Sequence, residues 1–369
     1  MGNEYRTLVI NPGSTSTKIG VFKGDCAVFT KTVDHDASKL AEFVDITSQL
    51  PYRRETILEA LDENGVKLED IDAFVGRGGG LLPMEGGTYR VNDIMLDHAR
   101  MGANGVQHPA QLGSQLAYEF AVAAGSKPAY VVNPPDTDEL CDEARVTGIK
   151  GVYRHVHLHA LNLKETAIRH AASQGKRYEE CNYIVCHIGG GISVSAHRRG
   201  KMIDGFDIVG GEGMMAPTRC GGMPVTEVLG YLEAGHSIDE VRNLCMKSGG
   251  FVSLLGTSDA REVISRVKKG DAPAARAWSA MLYQISRAIG AMAAVLEGDV
   301  EAVLLGGGMV HDEGLVAHLE RSCEWIAPVF AYPGEFELEA MAAGAVRVLS
   351  GQEEPKAYTG IPVFQGFAD

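Results

Sequence analysis

The sequence predicts an α/β chain of two domains that repeat one nucleotide-binding plan. Two hairpins and the chain length carry that expectation. In LVINPGSTSTKIGVFKG, residues 8 to 24, the apolar run Leu8-Val9-Ile10 reaches Asn11 and a Pro-Gly-Ser-Thr-Ser-Thr turn. Apolar residues then resume at Ile19, Val21 and Phe22. In YIVCHIGGGISVSAHRRG, residues 183 to 200, an apolar run meets Gly189-Gly190-Gly191, and alternation resumes from Ile192. Each hairpin opens one half of the chain, as a duplication would. At 369 residues the chain has room for two domains. The expected division is 1–180 and 181–349, with the tail 350–369 packed on the first domain.

Composition narrows the class. Hydrophobic residues make up 45% and charged residues 22%, the balance of a globular protein. The net charge, 34 minus 48 or -14, argues against a broad nucleic-acid surface. Seven scattered cysteines form no CxxC and no compact disulfide pattern, which points to mostly buried thiols in a reducing compartment. No apolar run approaches the length of a membrane span, and the first strand follows the N-terminus directly. The expectation is a soluble cytoplasmic protein.

Taken in order, the first hairpin loop can surround phosphate oxygens. Gly13 permits close approach, while Ser14, Thr15, Ser16 and Lys18 supply donors. The plain alternative is two ordinary hairpins, since neither loop matches GxxxxGK[ST] or the βαβ glycine fingerprint. A third strand is expected over 27–33, a short helix over 36–49 and a longer one over 52–63, ended by Gly65. A strand over 70–75 delivers Gly76-Arg77-Gly78-Gly79-Gly80, where the arginine can reach a carboxylate or phosphate or simply sit in a surface loop. A helix over 110–124 and a strand over 128–132 follow, ending in Asn133-Pro134-Pro135-Asp136-Thr137-Asp138-Glu139. Those acids suit Mg²⁺ or water positioning, and equally a turn or cap. His155, His157 and His159 have a metal-like spacing, but one phosphate-facing histidine beside two structural ones is the preferred reading. The helix they open has an expected buried stripe of Leu158, Leu161, Ile168 and Ala172.

In the second half, Arg219 stands among glycines as Arg77 does, in VGGEGMMAPTRCGGMP. Two such arginines fit a clamp on a transferring phosphoryl group. Helices are expected over 225–234, 238–246 and 274–296. The last is striped by Trp278, Met281, Leu282, Ile285, Ile289, Met292, Val295 and Leu296, and its Gly290 suggests close helix packing. The strand Ala302-Val303-Leu304-Leu305 runs into Gly306-Gly307-Gly308, a natural seat for a nucleoside. A final helix runs to Leu349, striped by Leu338, Met341, Ala345 and Val348, with Glu335, Glu337 and Glu339 at its start as dipole-matching acids or metal ligands.

Together NPGSTSTKIGVF, VGRGG, LHALNLK, HIGGGISV, GEGMMAPTRCGG, LLGGGM and PGEFELEAMAAGAVRVL resemble the motifs of the butyrate kinases. These belong to the acetate/propionate/butyrate kinase group of the actin, Hsp70 and hexokinase fold superfamily. The resemblance runs from residue 8 to about 360. It implies a duplicated actin-like (ribonuclease H-like) fold with a nucleotide cleft between domains, ATP/ADP with Mg²⁺, and a homodimer or larger assembly. It implies that Asn11 and Ser14 to Ser16 form the first phosphate loop with Lys18 behind, Gly189 to Gly191 the second, and that Gly306 to Gly308 lie by the adenosine. By the same resemblance Arg77 and Arg219 meet the acyl carboxylate and the phosphoryl group. His159 stabilises the transition state, Asp138 takes the second acidic position, and Asn11 with Glu337 or Glu335 supports Mg²⁺. One departure is Asn133, where the family usually has Asp.

The implied reaction is reversible phosphoryl transfer from ATP to butyrate, giving butyryl phosphate and ADP. A short-chain acid has a pKa of roughly 4 to 5, so its ionised oxygen attacks in line without a general base. Gly79, where acetate kinases usually carry Val, suggests room for extra methylenes worth about 0.8 kcal/mol each. Branched short-chain acids are the enzymatic alternative. A nonenzymatic nucleotide-switched binding protein is the alternative from another class, although the chain has no separate peptide-binding domain.

Overall fold

Leu8, Val9 and Ile10 are wholly buried because the strand they form, β1 (Arg6–Pro12), is covered on both faces. The structure is a computed structural model that describes residues 4–368. It divides into two units, Met1–Asp138 with Phe336–Asp369, and Glu139–Glu335.

In the first unit β1 pairs antiparallel with β2 (Ser16–Lys23), which pairs antiparallel with β3 (Cys26–Asp34). On its other side β1 pairs parallel with β4 (Ala73–Gly76), and β4 pairs parallel with β6 (Ala129–Val132). Two short strands, β5 (Thr88–Arg90) and β12 (Lys356–Ala357), complete the order β12-β5-β6-β4-β1-β2-β3. Helices Leu50–Glu63, Asp93–Met101 and Leu112–Ala123 bury Ile57, Leu61, Met95, Leu116 and Phe120 in one core with Leu8, Ile10, Phe74 and Val131.

The second unit repeats the plan. β7 (Asn182–Ile188), β8 (Ile192–Arg198) and β9 (Lys201–Gly205) form an antiparallel meander, and β10 (Ala302–Gly307) and β11 (Val329–Pro333) add parallel strands. The order β9-β8-β7-β10-β11 matches β3-β2-β1-β4-β6 strand for strand, so the expected duplication is present. Helix Ala272–Val295 supplies the core on one face of this sheet, and helix Ala160–Ser173 the core on the other.

The units part at 138 and 335, where the sequence suggested 180 and 349. Helix Ala160–Ser173 packs on β7 and β10, and helix Glu337–Leu349 on β1, β4 and β6, so each joins the sheet that its side chains cover. Several elements also differ from expectation. Residues 36–49 form only the single turn Ala37–Leu40, capped by Asp36, and a 3₁₀ turn Thr47–Gln49. The expected stripe on Ala160–Ser173 holds only at its start: Leu158 and Leu161 are buried, but Ile168 is only half-buried and Ala172 exposed, while Asn162, Lys164 and Glu165 are buried. This helix is enclosed over its first two turns, so polar side chains with internal partners share its buried surface. Gly290 faces open space, which removes close packing as its reason. Of the seven cysteines only Cys181, Cys186 and Cys323 are buried; Cys26 is exposed and the rest are half-buried. Among the described residues no helix is long and apolar enough to cross a membrane.

Candidate functional site

The first loop is the turn between β1 and β2. The hairpin register sets Asn11 opposite Lys18, and the Gly13 N–H closes the turn on Ser16 O at 2.7 Å. Beneath it lies Arg53, wholly buried, whose guanidinium donates to the carbonyls of Gly13 (2.9 Å), Ser14 (3.3 Å) and Ser16 (3.4 Å). It also donates to Thr17 Oγ1 at 3.1 Å, and that hydroxyl lies 2.8 Å from His35 Nε2. Ser14 and Thr15 remain exposed above.

Arg77 is presented by a close crossing of backbones. A Cβ on Gly76 would lie 2.0 Å from Gly113 O, so the end of β4 rests directly on helix Leu112–Ala123. The Arg77 N–H bonds to Ile10 O at 2.9 Å, and its guanidinium, 7% exposed, reaches Asn133 O at 3.3 Å. Burial lowers its pKa, while Glu337 and Asp136 act in the opposite sense. Asn11, Gly13, Ser16, Lys18, Arg77 and Glu337 all line one pocket of about 270 Å³, together with His108 and Pro135. In it the Asn11 amide donates to Glu337 Oε2 at 2.7 Å. His108 has its pKa lowered by burial and by Arg77 and Arg53, and its Nδ1 accepts from the Ala110 N–H at 3.1 Å, which makes Nε2 the donor of the neutral ring.

The second loop joins β7 to β8, with Gly189 N–H bonded to Gly191 O at 3.1 Å and Thr218 Oγ1 donating to Gly190 O at 3.1 Å. Arg219 lies on it: a Cβ on Gly191 would be 2.0 Å from Arg219 Nη1. Nε and Nη1 of Arg219 are buried without a hydrogen-bond partner, and burial lowers the pKa of the group against the pull of Asp207. His159, at the entrance of helix Ala160–Ser173, meets Ser193 Oγ through Nδ1 at 2.8 Å and stacks on His187 with ring centroids 4.0 Å apart. The other two histidines of the triplet diverge: His155 is exposed and His157 meets Asp207 at 3.3 Å.

Other expected residues fall elsewhere. Asp138 is buried and its N–H bonds Met84 O, but it does not line the Arg77 pocket. Glu337 lines that pocket in the first unit, whereas Glu335 belongs to the second, 3.8 Å from His187 Nε2. Gly307, at φ 100°, seats β10 on the backbone of Ile188, where a Cβ would come within 2.5 Å. Gly308 faces open space. Asn133 takes a left-handed φ of 38° and accepts the Gly87 N–H through Oδ1 at 2.7 Å. The roomy reading of Gly79 does not survive: a Cβ there would meet Ala110 Cβ and Gln111 N at 3.2 Å, so the 3₁₀ turn Pro109–Gln111 already fills the space.

Sequence reasoning missed Arg53, His108 and His187. Arg53 had a signal, a charge in line with Ile57 and Leu61 on a helix stripe. His187 had one too, as the polar residue closing a buried strand just before the glycines. His108 had none, because only the fold brings it to the pocket.

A family model described as "Acetokinase family" matches residues 150–324. The fold is similar to that of the acetate kinase of Porphyromonas gingivalis, 19% identical over 94% of this chain and 100% of that one, with a TM-score of 0.75. It is similar as well to a propionate kinase from Francisella tularensis subsp. tularensis, 18% identical over 92% and 98% with a TM-score of 0.69. The Entamoeba histolytica acetate kinase matches at 15% identity over 92% and 98%, with a TM-score of 0.71. As a whole the chain therefore has the duplicated actin/hexokinase-type fold that these acetate and propionate kinases share.

Proposed function

We propose that the chain transfers the γ-phosphoryl group of ATP to the carboxylate of a short-chain acid, butyrate foremost, forming an acyl phosphate and ADP reversibly. The observation that carries this reading is Arg219, whose buried, unpartnered donors lie against an all-glycine loop. Such donors are costly unless an anion engages them. Arg77 offers a second buried guanidinium from a pocket that holds no other cation but the exposed Lys18. A carboxylate nucleophile needs no base, which fits a pocket whose Glu337 carboxylate is engaged by Asn11 and whose His108 ring is neutral.

In the first unit, Arg77 and His108 Nε2 bind and orient an anion while the Ser14 to Ser16 loop, with Lys18, takes phosphate oxygens. In the second, the Gly189–Gly191 loop and Arg219 hold phosphate, and His159, fixed by Ser193, donates to charge that develops in the transition state. Gly306 to Gly308 flank the nucleoside, and Asp138 supports the strand end. For Mg²⁺ the donor set fits: Asn11 turns its amide N–H to Glu337, which leaves Asn11 Oδ1 and a carboxylate oxygen as hard ligands. Bound with the nucleotide phosphates, Mg²⁺ would offset their charge; Glu337 is the favoured holder and Glu335 the second choice.

Butyrate follows from the motif resemblance alone, since the Gly79 argument for volume has gone. The test is acyl phosphate formation with ATP and Mg²⁺, trapped by hydroxylamine, across acetate, propionate, butyrate, isobutyrate and isovalerate. Greatest turnover on butyrate is expected. Preference for isobutyrate or isovalerate would move the substrate to the branched acids, and ATP binding without product from any acid would leave a nucleotide switch.

A further inference from the structure

A guanidinium removed from water without a carboxylate is costly, and Arg53 is such a group. Its donors go to neutral acceptors: Gly13 O, Ser14 O, Ser16 O and Thr17 Oγ1 of the first loop, and Gln49 Oε1 at 3.0 Å in the 3₁₀ turn just before its helix. No carboxylate pairs with it among the described residues. Burial brings its pKa down to about 10, so the charge persists at neutral pH. With three carbonyls drawn inward and the Gly13 N–H closing the turn, the Ser14 and Thr15 N–H groups have no protein acceptor among the described residues.

We infer that Arg53 is a positioning residue for nucleotide phosphate: it grips the first loop from beneath, keeps its carbonyls out of the pocket and sets a permanent positive charge behind its N–H and hydroxyl groups. The planar fork explains why arginine stands here, since an ammonium cannot serve acceptors spread over four loop residues at fixed angles. A charge held in the low-dielectric interior acts on an anion above it more strongly than one in water. The role rests on the phosphotransfer reading and adds to it a residue that touches neither substrate nor metal.

The test compares ATP with adenosine, both titrated calorimetrically into wild type, Arg53→Met and Arg53→Lys, with melting midpoints in parallel. Arg53→Met should weaken ATP at least about tenfold and adenosine less than about twofold, with Arg53→Lys between them for ATP. A merely structural arginine would lower both ligands together, in step with the midpoint. That result, or unchanged ATP affinity in Arg53→Met, overturns the inference. If Arg53→Met does not fold, Thr17→Val removes one acceptor at constant shape. A fewfold loss for ATP alone supports the role, and no loss in either Thr17→Val or Arg53→Lys overturns it. Failure of the kinase reading looks different: wild type binds ATP in this way but forms no acyl phosphate.

Discussion

The two hairpin loops are built to one strand plan and use arginine in opposite ways. In the first, rich in hydroxyls, the guanidinium of Arg53 lies below and is fully engaged with loop carbonyls. In the second, made of glycine, the guanidinium of Arg219 lies against the loop with two donors unengaged. A loop with side chains can carry its own donors and needs fixing from beneath. A loop without them leaves room for a cation to lie on its backbone. The difference teaches that duplication conserved the hairpin and left each copy to find its own source of positive charge.

The largest effect should come from the unengaged arginine. Arg219→Ala should cut acyl phosphate formation about 10²- to 10³-fold, the range seen when a transition-state donor is lost. The melting midpoint should hardly move, because no protein bond to the Nε or Nη1 atoms is broken. Gly191→Ala sharpens the point. Its Cβ would strike the far end of a flexible side chain at Nη1, so Arg219 shifts and the fold survives. Initial rates should fall by about 10²-fold while stability changes by less than about 1 kcal/mol. A destabilised protein with normal turnover would remove Arg219 from the chemistry. Gly76→Ala is the contrast, since its Cβ would meet backbone at 2.0 Å and should unfold the first unit.

Against these outcomes, what the sequence could reveal divides along physical lines. Both hairpins were readable because apolar runs flank each loop, and the burial of the Arg77 and Arg219 guanidinium groups had a local sign in the glycines near them. The unit boundaries were not, because a helix belongs to the sheet it covers and not to its neighbours in the chain, as Ala160–Ser173 and Glu337–Leu349 show. Gly79 and Gly290 were misread for one reason: an absent side chain says nothing of which neighbour occupies the space. At Gly79 it is Ala110, and at Gly290 nothing. The Asn11–Glu337 bond joins residues 326 apart in the chain, beyond any motif, although the resemblance named both partners.

A third effect tests the first loop through pH. His35 is 6% exposed against Thr17, and burial followed by the charge of Arg53 lowers its pKa from 6.5 to about 4, with Asp34 opposing. Between these values the unfolded chain binds a proton that the folded chain refuses. Stability is therefore fully present above pH 6.5 and is lost as pH falls toward 4, by up to about 3 kcal/mol. His35→Gln should flatten the acid limb of a urea-midpoint profile over that window. An unchanged limb would mean that His35 is not held neutral beside Arg53.

The smallest effect comes from a glycine that serves neither purpose. Gly290 lies in the interior of helix Ala272–Val295, and a Cβ built there meets nothing within 4 Å. Glycine in a helix interior costs up to about 1 kcal/mol against alanine, because the unfolded chain loses more freedom on ordering. Gly290→Ala should thus raise stability by about 0.5 to 1 kcal/mol, read as a higher urea midpoint at constant slope, and leave turnover as it was. Its sign is opposite to that expected of Gly76→Ala and its silence in activity opposite to Gly191→Ala. Three glycines of one chain would then separate by what stands where their side chain would be: backbone, the Arg219 guanidinium or open space. Destabilisation by Gly290→Ala would show that this helix face is covered in the protein in solution, and the surface opposite Gly290 would become the place to look for a second copy of the chain.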